Sequence, residues 1–216
     1  MASGQLSRAE ALACSDYRHA CHVMLYSDTN AQLFGRIPIK HIVLMQIRFD
    51  GLLGFPGGLV NPTEETLEAG LSREFLEEMG VALPVSVADH VESCHAPASS
   101  TSLSSSHLIT HFYVKKIDEE QIVEVEKAAA STAEDHGQEV LGLVRVPVYT
   151  MKDGGGLGSF LSHSFVGNAR SQLVNSLLRF NLVTPEQLHE ANTHSLTICS
   201  NTVEDLKAAL TEENRK

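Results

Sequence analysis

The 216-residue sequence predicts an α/β fold organised around a mixed β-sheet, and three observations carry that prediction. HIVLMQIRF (41–49) is so apolar that it reads as a strand buried on both faces. A helix signal follows over 67–79, where Leu67, Leu71, Phe75 and Met79 line one apolar stripe. Further strand and helix signals are interleaved along the rest of the chain, the pattern of layered α/β architectures.

The elements are expected in this order. SRAEALAC (7–14) suggests a short opening helix, and HACHVMLY (19–26) a strand closed by the turn residues 27–30. The apolar strand lies within 37–49, and Asp50-Gly51 turns the chain towards GFPGGLV. For the following helix Asn61 is the expected N-cap, with Pro62 at N1 and Glu64 at N3, and Gly80 is a C′ glycine that stops it. Gly70 sits inside that helix, where glycine costs roughly 0.5–1 kcal/mol relative to Ala. A close approach is therefore expected there, with the Gly57-Gly58 loop as the neighbour. A strand near 85–90 leads into a Ser-rich surface loop, 93–106, flanked by His95 and His107.

Residues 108–117 alternate as a strand with His111 and Phe112 on opposite faces. Residues 119–131 form a helix that buries Ile122, Val125 and Ala129, and a polar turn at 135–137 precedes the strand 140–146. The Gly-rich connector 151–159 lacks the order of a phosphate loop. Amphipathic helices are expected at 167–181, with Leu173, Leu177 and Phe180 inward, and at 184–192, capped by Thr184 with Pro185 at N1. A short polar helix is expected at 203–213.

Length and composition fit a single domain, 1–216, long enough to bury about 70% of its unfolded surface. The net charge of −11 excludes a broad basic face for nucleic acid. Four cysteines without metal-ligand spacing read as reduced thiols, and no stretch has the length of a signal peptide's apolar region or of a membrane span. No basic import signal is present.

The chemistry concentrates on the helix at 67–79. Glu74, Glu77 and Glu78 stand at i, i+3 and i+4 and project to one side. Three carboxylates so close repel one another unless a cation sits among them. Hard oxygen ligands on a rigid helix suit Mg²⁺ or Mn²⁺, ions that also bridge phosphates.

The register of Arg73, Glu74, Phe75, Glu77, Glu78, Gly80 and Val81 resembles the Nudix box, G-x5-E-x7-R-E-U-x-E-E-x-G-U, here at about 57–81. The first half carries one extra residue. Counting from Gly58 selects Glu64 as the first glutamate, whereas counting back from Arg73 selects Glu65 and puts Leu59 at the glycine position. Segments 18–26, 33–58, 135–150 and 165–173 further resemble the Nudix 16-type, snoRNA-decapping branch of these hydrolases.

The resemblance implies an α/β/α sandwich and a Mg²⁺- or Mn²⁺-dependent hydrolase, with Co²⁺ as a further option. Glu74 and Glu78 would be inner metal ligands, supported by Glu77 and the Gly57 carbonyl, and Arg73 an orienting residue holding a carboxylate in a bidentate pair. His22, Arg48, Phe55 and Gln172 match nucleotide-lining positions. Glu139 and His136, in the turn before the strand at 140, are candidates for the general base.

The implied reaction cleaves the m7G or trimethylguanosine 5′ cap of snoRNA or mRNA, releasing m7GDP and 5′-monophosphate RNA. A second reading is a phosphatase of (deoxy)inosine diphosphate or other purine nucleoside diphosphates. A third is a catalytically silent RNA- or protein-binding member, since the family includes one whose box carboxylates are lost. The resemblance also implies a homodimer, with the apolar helix at 167–181 as its surface. It implies a nuclear location, in nucleolus and nucleoplasm, with some protein in the cytoplasm.

Overall fold

The fold is known from a computed structural model that describes residues 4–96, 107–152 and 154–197. Its strands are β1 (Gln5–Leu6), β2 (Arg18–Asp28), β3 (Gln32–Leu33), β4 (Ile37–Pro38), β5 (His41–Arg48), β6 (Leu53–Gly54), β7 (Gly57–Val60), β8 (His90–His95), β9 (Leu108–Lys116) and β10 (Val140–Arg145). Its helices are α1 (Arg8–Ala13), α2 (Leu67–Met79), α3 (Glu119–Ser131), α4 (Leu157–Phe160) and α5 (Ala169–Arg179), followed by a helical segment over 185–197. The main sheet runs β1-β8-β9-β2-β5-β10, and β3 and β4 form a separate ribbon. β2 pairs with β9 in parallel while its other neighbours along the sheet are antiparallel, so the sheet is mixed, as expected.

Both faces of the sheet are covered, which explains why the centres of β2 and β5 carry apolar residues on both sides. Alternate side chains leave a strand on opposite sides. Cys21, Val23 and Leu25 of β2, with Ile42 and Leu44 of β5, pack under Leu71, Phe75 and Met79 of α2 and Ile122 and Val125 of α3. Met24, Val43 and Met45 face the other way, onto Leu173 and Leu177 of α5. The result is the α/β/α sandwich. Leu182, Val183, Leu188 and Ala191 join this second core, so residues 182–191 pack onto the sheet with α5.

One irregularity positions everything functional. β2 and β5 pair only at Tyr26–Asp28 with His41–Val43, and beyond that point they part. Residues 53–60 fill the gap. β6 pairs with β5, Pro56 accepts the Val23 amide at 2.9 Å, and β7 pairs with β2 from His22↔Gly57 to His19↔Val60. This wedge reaches both faces of the sheet.

Most expected elements form within a residue or two of their predicted limits, and α3 forms over Glu119–Ser131 as predicted. The strand expected near 85–90 forms later, at His90–His95. The Asp89 carboxylate accepts from the Ser86 amide and hydroxyl and fixes Val87–Asp89 as a turn of 3-10 helix instead. The connector 151–159 contains the start of α4. Helix 184–192 runs on to residue 197, capped reciprocally by Thr184 and Gln187 as its sequence suggested. Phe180 is only partly buried and packs on Tyr26. Most of the Ser-rich loop, Cys199 and the helix expected at 203–213 lie outside the described residues.

A chain of buried polar groups crosses β2, β9 and β8. His19 Nδ1 lies 2.9 Å from His111 Nε2, and His111 Nδ1 lies 2.8 Å from Ser93 Oγ, which contacts His90 Nε2 at 2.9 Å. The His19–His111 contact needs one donor and one acceptor, so the two rings cannot both be protonated. Burial, then the charges of His19 and His90, push His111 down to about 3. Burial also lowers His19 and His90, and burial with the Arg48 charge brings His22 down to about 4.

A histidine whose folded pKa is depressed stabilises the fold above its unfolded value, near 6.5, and that stability is lost as pH falls from there. His111 and His22, whose folded values lie well below this window, each contribute up to roughly 1.4 kcal/mol per pH unit across it. Glu78, a buried carboxyl pushed up to about 7, works in the opposite direction but offsets only one proton. The midpoint of urea unfolding should therefore fall between pH 6.5 and 5. A midpoint constant across that window would contradict the neutral chain.

Candidate active site

The wedge and α2 meet at two glycines that admit no side chain. At Gly57, with φ of +127°, a Cβ would stand 2.1 Å from the Cys21 carbonyl oxygen, and at Gly58 it would stand 2.0 Å from Glu74 Oε2. The Gly57 amide donates to Glu78 Oε2 at 2.7 Å, and Gln46 Nε2 donates to Glu78 Oε1 at 2.9 Å. Glu78 is thus a carboxylate only 6% exposed, held from two sides, while Glu74 lies against the neighbouring glycine.

α2 delivers these side chains because its opposite stripe, Leu67, Leu71, Phe75 and Met79, is locked into the core. Gly80 ends it in the left-handed conformation, φ +69°, as expected. Its start differs from the sequence reading. Thr66 is the N-cap, accepting from the Ala69 amide at 3.1 Å, whereas Asn61 caps a separate turn through the Thr63 amide and hydroxyl. The extra residue of the box is absorbed in that turn, outside the helix. Gly70 is closely approached, as inferred, but by Val60 of β7, whose methyl carbons lie 2.5–2.6 Å from where a Cβ would be, rather than by Gly57-Gly58.

Arg73 is an orienting residue, though not through one bidentate pair. Its Nη1 donates to Glu74 Oε1 at 2.7 Å and Glu77 Oε1 at 3.4 Å, and its Nη2 to Glu65 Oε1 at 2.9 Å and the Leu59 carbonyl at 3.2 Å. Glu65, counted back from Arg73, is therefore the glutamate that meets this arginine. Glu77 is the most solvent-exposed of the three carboxylates of the box.

The electrostatics express an excess of negative charge. Burial raises Glu78 to about 7 against the hydrogen bonds from Gly57 and Gln46, and the charges of Glu74 and Asp135 add to the rise. Burial likewise raises Glu74, with Glu77 and Glu139 contributing and Arg73 opposing. Among the described residues no three carboxylates or histidines already converge on one point. What is present is a pair, Glu74 and Glu78, bracketing Gly57-Gly58 with hard oxygens, and this donor set fits a divalent cation. The contact made by Gly57 here is through its amide.

The remaining candidates divide by position. His22 leaves β2 on the α5 side, opposite Gly57 in β7 and Phe112 in β9. Arg48, at the end of β5, reaches Asp50 at 3.3 Å, lies over the Phe49 ring and depresses His22. Gln172 of α5 is 4% exposed, and its Nε2 has no hydrogen-bond partner. Phe55 is 3% exposed and packs on Phe112 in the core cluster on the α5 side. Glu139 and His136 are both exposed in the turn before β10, and only the Glu139 charge is felt at Glu74.

Two contributors were missed. Gln46 is 1% exposed in the middle of β5, with Oε1 unpartnered, and a lone amide in so apolar a strand was a signal that it had a polar neighbour. Asp135 acts on Glu78 from a turn whose amides, at Glu134 and Asp135, donate to the Glu77 carbonyl.

Comparison with known proteins places the chain in a family. A family model described as Nudt16-like, U8 snoRNA-decapping enzyme-like, matches residues 19–183. The U8 snoRNA-decapping enzyme of Mus musculus is 49% identical over 182 residues, covering 84% of this chain and 90% of that protein. The Tudor-interacting repair regulator protein of Homo sapiens is 44% identical over 189 residues, covering 87% of this chain and 86% of that protein. Among solved structures, the NUDIX domain of Shewanella oneidensis NrtR complexed with ADP ribose is 18% identical with a TM-score of 0.48, covering 82% of this chain and all of that one. With the family match spanning most of the domain and the Glu74–Glu78 pair in place, the chain belongs to the Nudt16-like family of Nudix hydrolases.

Proposed function

We propose that this protein is a metal-dependent hydrolase that removes the 5′ cap from RNA, snoRNA and mRNA among its substrates, releasing m7GDP and 5′-monophosphate RNA. The observation that carries the reading is the placement of two kinds of group on the two sides of one wedge. Carboxylates Glu74 and Glu78 stand on the α2 side, and an unpartnered buried amide, Gln172, stands on the α5 side with His22. A cap presents a polyphosphate and a purine that would span such a wedge. The decapping enzymes to which the chain is 44–49% identical support the assignment.

Mg²⁺, Mn²⁺ or Co²⁺ held by Glu74 and Glu78, with Glu77 and the Gly57 carbonyl in support, would neutralise phosphate oxygens and lower the pKa of water. The residues of the chain do the rest. Arg73 keeps Glu74 aimed at Gly58 and ties it to Glu65. Glu139 is better placed than His136 as a base, since its charge acts on Glu74. Gln172 Nε2 offers a donor that matches the O6 acceptor of guanine or hypoxanthine, whereas adenine carries an amino donor at that position. That match also favours the second reading, hydrolysis of inosine diphosphate. The intact Glu74, Glu77 and Glu78 argue against a silent binding protein.

Assembly and location are further proposals. Leu173 and Leu177 are fully buried in this chain's own core, so they do not provide a dimer surface. Phe34 and Phe49, 72% and 59% exposed, are among the exposed apolar side chains available for the homodimer we propose. Sedimentation that finds only monomer at micromolar concentration would refute it. The nucleus, nucleolus and nucleoplasm, with some protein in the cytoplasm, is the proposed location, and imaging of the tagged protein checks it.

The functional test is a panel of capped RNA, inosine diphosphate, adenosine diphosphate and ADP-ribose, each with Mg²⁺, Mn²⁺ or excess chelator. Capped RNA should be cleaved only with metal, and inosine diphosphate should be preferred to adenosine diphosphate. In Gln172→Ala that preference should shrink about tenfold or more, the equivalent of roughly 1–3 kcal/mol for one lost hydrogen bond. No cleavage of capped RNA under any metal would remove the decapping reading. An unchanged inosine-to-adenosine ratio of kcat/KM would remove Gln172 as a reader of the base.

A further inference from the structure

Past the two glycines, in the direction away from His22 and Gln172, β7 and the start of β2 border an open groove. It holds about 660 Å³ and is lined among others by Tyr17, Arg18, Leu59, Pro62, Glu65 and Arg73. From this groove we infer a second substrate contact, resting on the decapping reading: it receives the single-stranded RNA that continues 3′ of the cap.

Position is the first argument. Register pairs His22 with Gly57, Cys21 with Gly58, Ala20 with Leu59 and His19 with Val60. The groove begins at Leu59, two residues along β7 from Gly57, which is roughly 7 Å. Its wall includes Arg73 and Glu65, and Arg73 holds Glu74 with its other nitrogen. The purine contacts lie on the α5 side of the wedge and the phosphate-handling carboxylates on its α2 side, so the chain beyond the scissile linkage continues along the α2 side, where this groove lies beside Arg73.

Chemistry is the second argument. Tyr17 is a half-buried ring held in place before any ligand arrives, stacked on His107 at 4.7 Å and packed against His95 at 5.2 Å. A pre-positioned aromatic ring is what a splayed base stacks on, without regard to its identity. Arg18 is exposed, with no carboxylate within ion-pair distance among the described residues, so one phosphate would find a free cation. Leu59 adds exposed apolar surface beside them. The acidic members of the lining differ in weight: Glu65 is paired with Arg73, and Glu64 is exposed and repels. The groove is thus suited to one stacked base and one phosphate, not to a long run of phosphates. That limit is consistent with a chain of net charge −11.

The test compares wild type, Tyr17→Ala, Tyr17→Phe and Arg18→Ala on three substrates: a capped RNA about twenty nucleotides long, a cap dinucleotide, and inosine diphosphate. Binding of an uncapped 5′-monophosphate RNA is measured beside them. Tyr17→Ala should lose about fivefold or more in kcat/KM on the capped RNA and in affinity for the uncapped RNA, leaving the nucleoside diphosphate unchanged. Tyr17→Phe, which keeps the ring, should restore both. Arg18→Ala should flatten the slope of log affinity against log salt by about 0.7.

Equal losses on all three substrates would make Tyr17 merely structural and overturn the inference, as would no loss on RNA. The two readings fail separately. If wild type decaps RNA but Tyr17→Ala does so equally well, the groove is excluded and decapping stands. If wild type cleaves no capped RNA, decapping falls, and the uncapped-RNA measurement still decides whether the groove binds a strand.

Discussion

The hydrogen bond from the Gly57 amide to Glu78 is the contact on which the site depends. It joins the wedge between β2 and β5 to the helix that covers one face of the sheet. Gly57 can make it only because its backbone runs where no Cβ fits, against the Cys21 carbonyl. Glu78 can receive it only because α2 is anchored by its apolar stripe and held close to β7 by the Gly70–Val60 approach. Parting of the two central strands, close helix packing and the position of a buried carboxylate are therefore one construction. A larger side chain at Gly57, Gly58 or Gly70 would disturb all three.

The same construction explains the electrostatic character of the site. A carboxylate removed from water is costly unless charge or hydrogen bonds compensate it. Two neutral donors, from Gly57 and Gln46, compensate Glu78 only in part, and its pKa stays high at about 7. Arg73 is the cation that contacts this cluster among the described residues, and it distributes itself over Glu65, Glu74 and Glu77 rather than reaching Glu78. The imbalance that remains between Glu74 and Glu78 is of the sign and hardness that a divalent cation corrects.

The sequence was informative where a local pattern had one physical reading. The buried stripe of α2, the left-handed Gly80, α3 and the two-sided burial of β5 all follow from spacing and residue type. Reading failed where two local solutions competed. Asn61 and Thr66 are both good N-caps, and the chain uses one for a turn and the other for the helix. Gly70 announced a close approach without naming Val60, because the partner depends on how β7 crosses the sheet. Gln46 and the His19–His111–Ser93–His90 chain are contacts across strands far apart in sequence, and no single stretch contains them. His22, Arg48 and Gln172 entered only by resemblance. The unpartnered Gln172 amide now gives one of them a physical reason.

The central claim is that Glu78 is a metal-holding carboxylate and not only a buried strut. Gln is its isostere, and Gln46 can turn its amide to meet the new group while the Gly57 amide keeps an oxygen acceptor, so Glu78→Gln should fold. The decisive measurement is Mn²⁺ binding by calorimetry to wild type and Glu78→Gln, with the unfolding temperature of each recorded with and without metal. The account predicts that Mn²⁺ raises the wild-type Tm, since a ligand bound only by the native state stabilises it. It also predicts that the variant, folded without metal, binds on the order of tenfold more weakly or worse and loses hydrolysis. Equal Mn²⁺ affinity in the two proteins, or full hydrolysis by wild type in excess chelator, would contradict it.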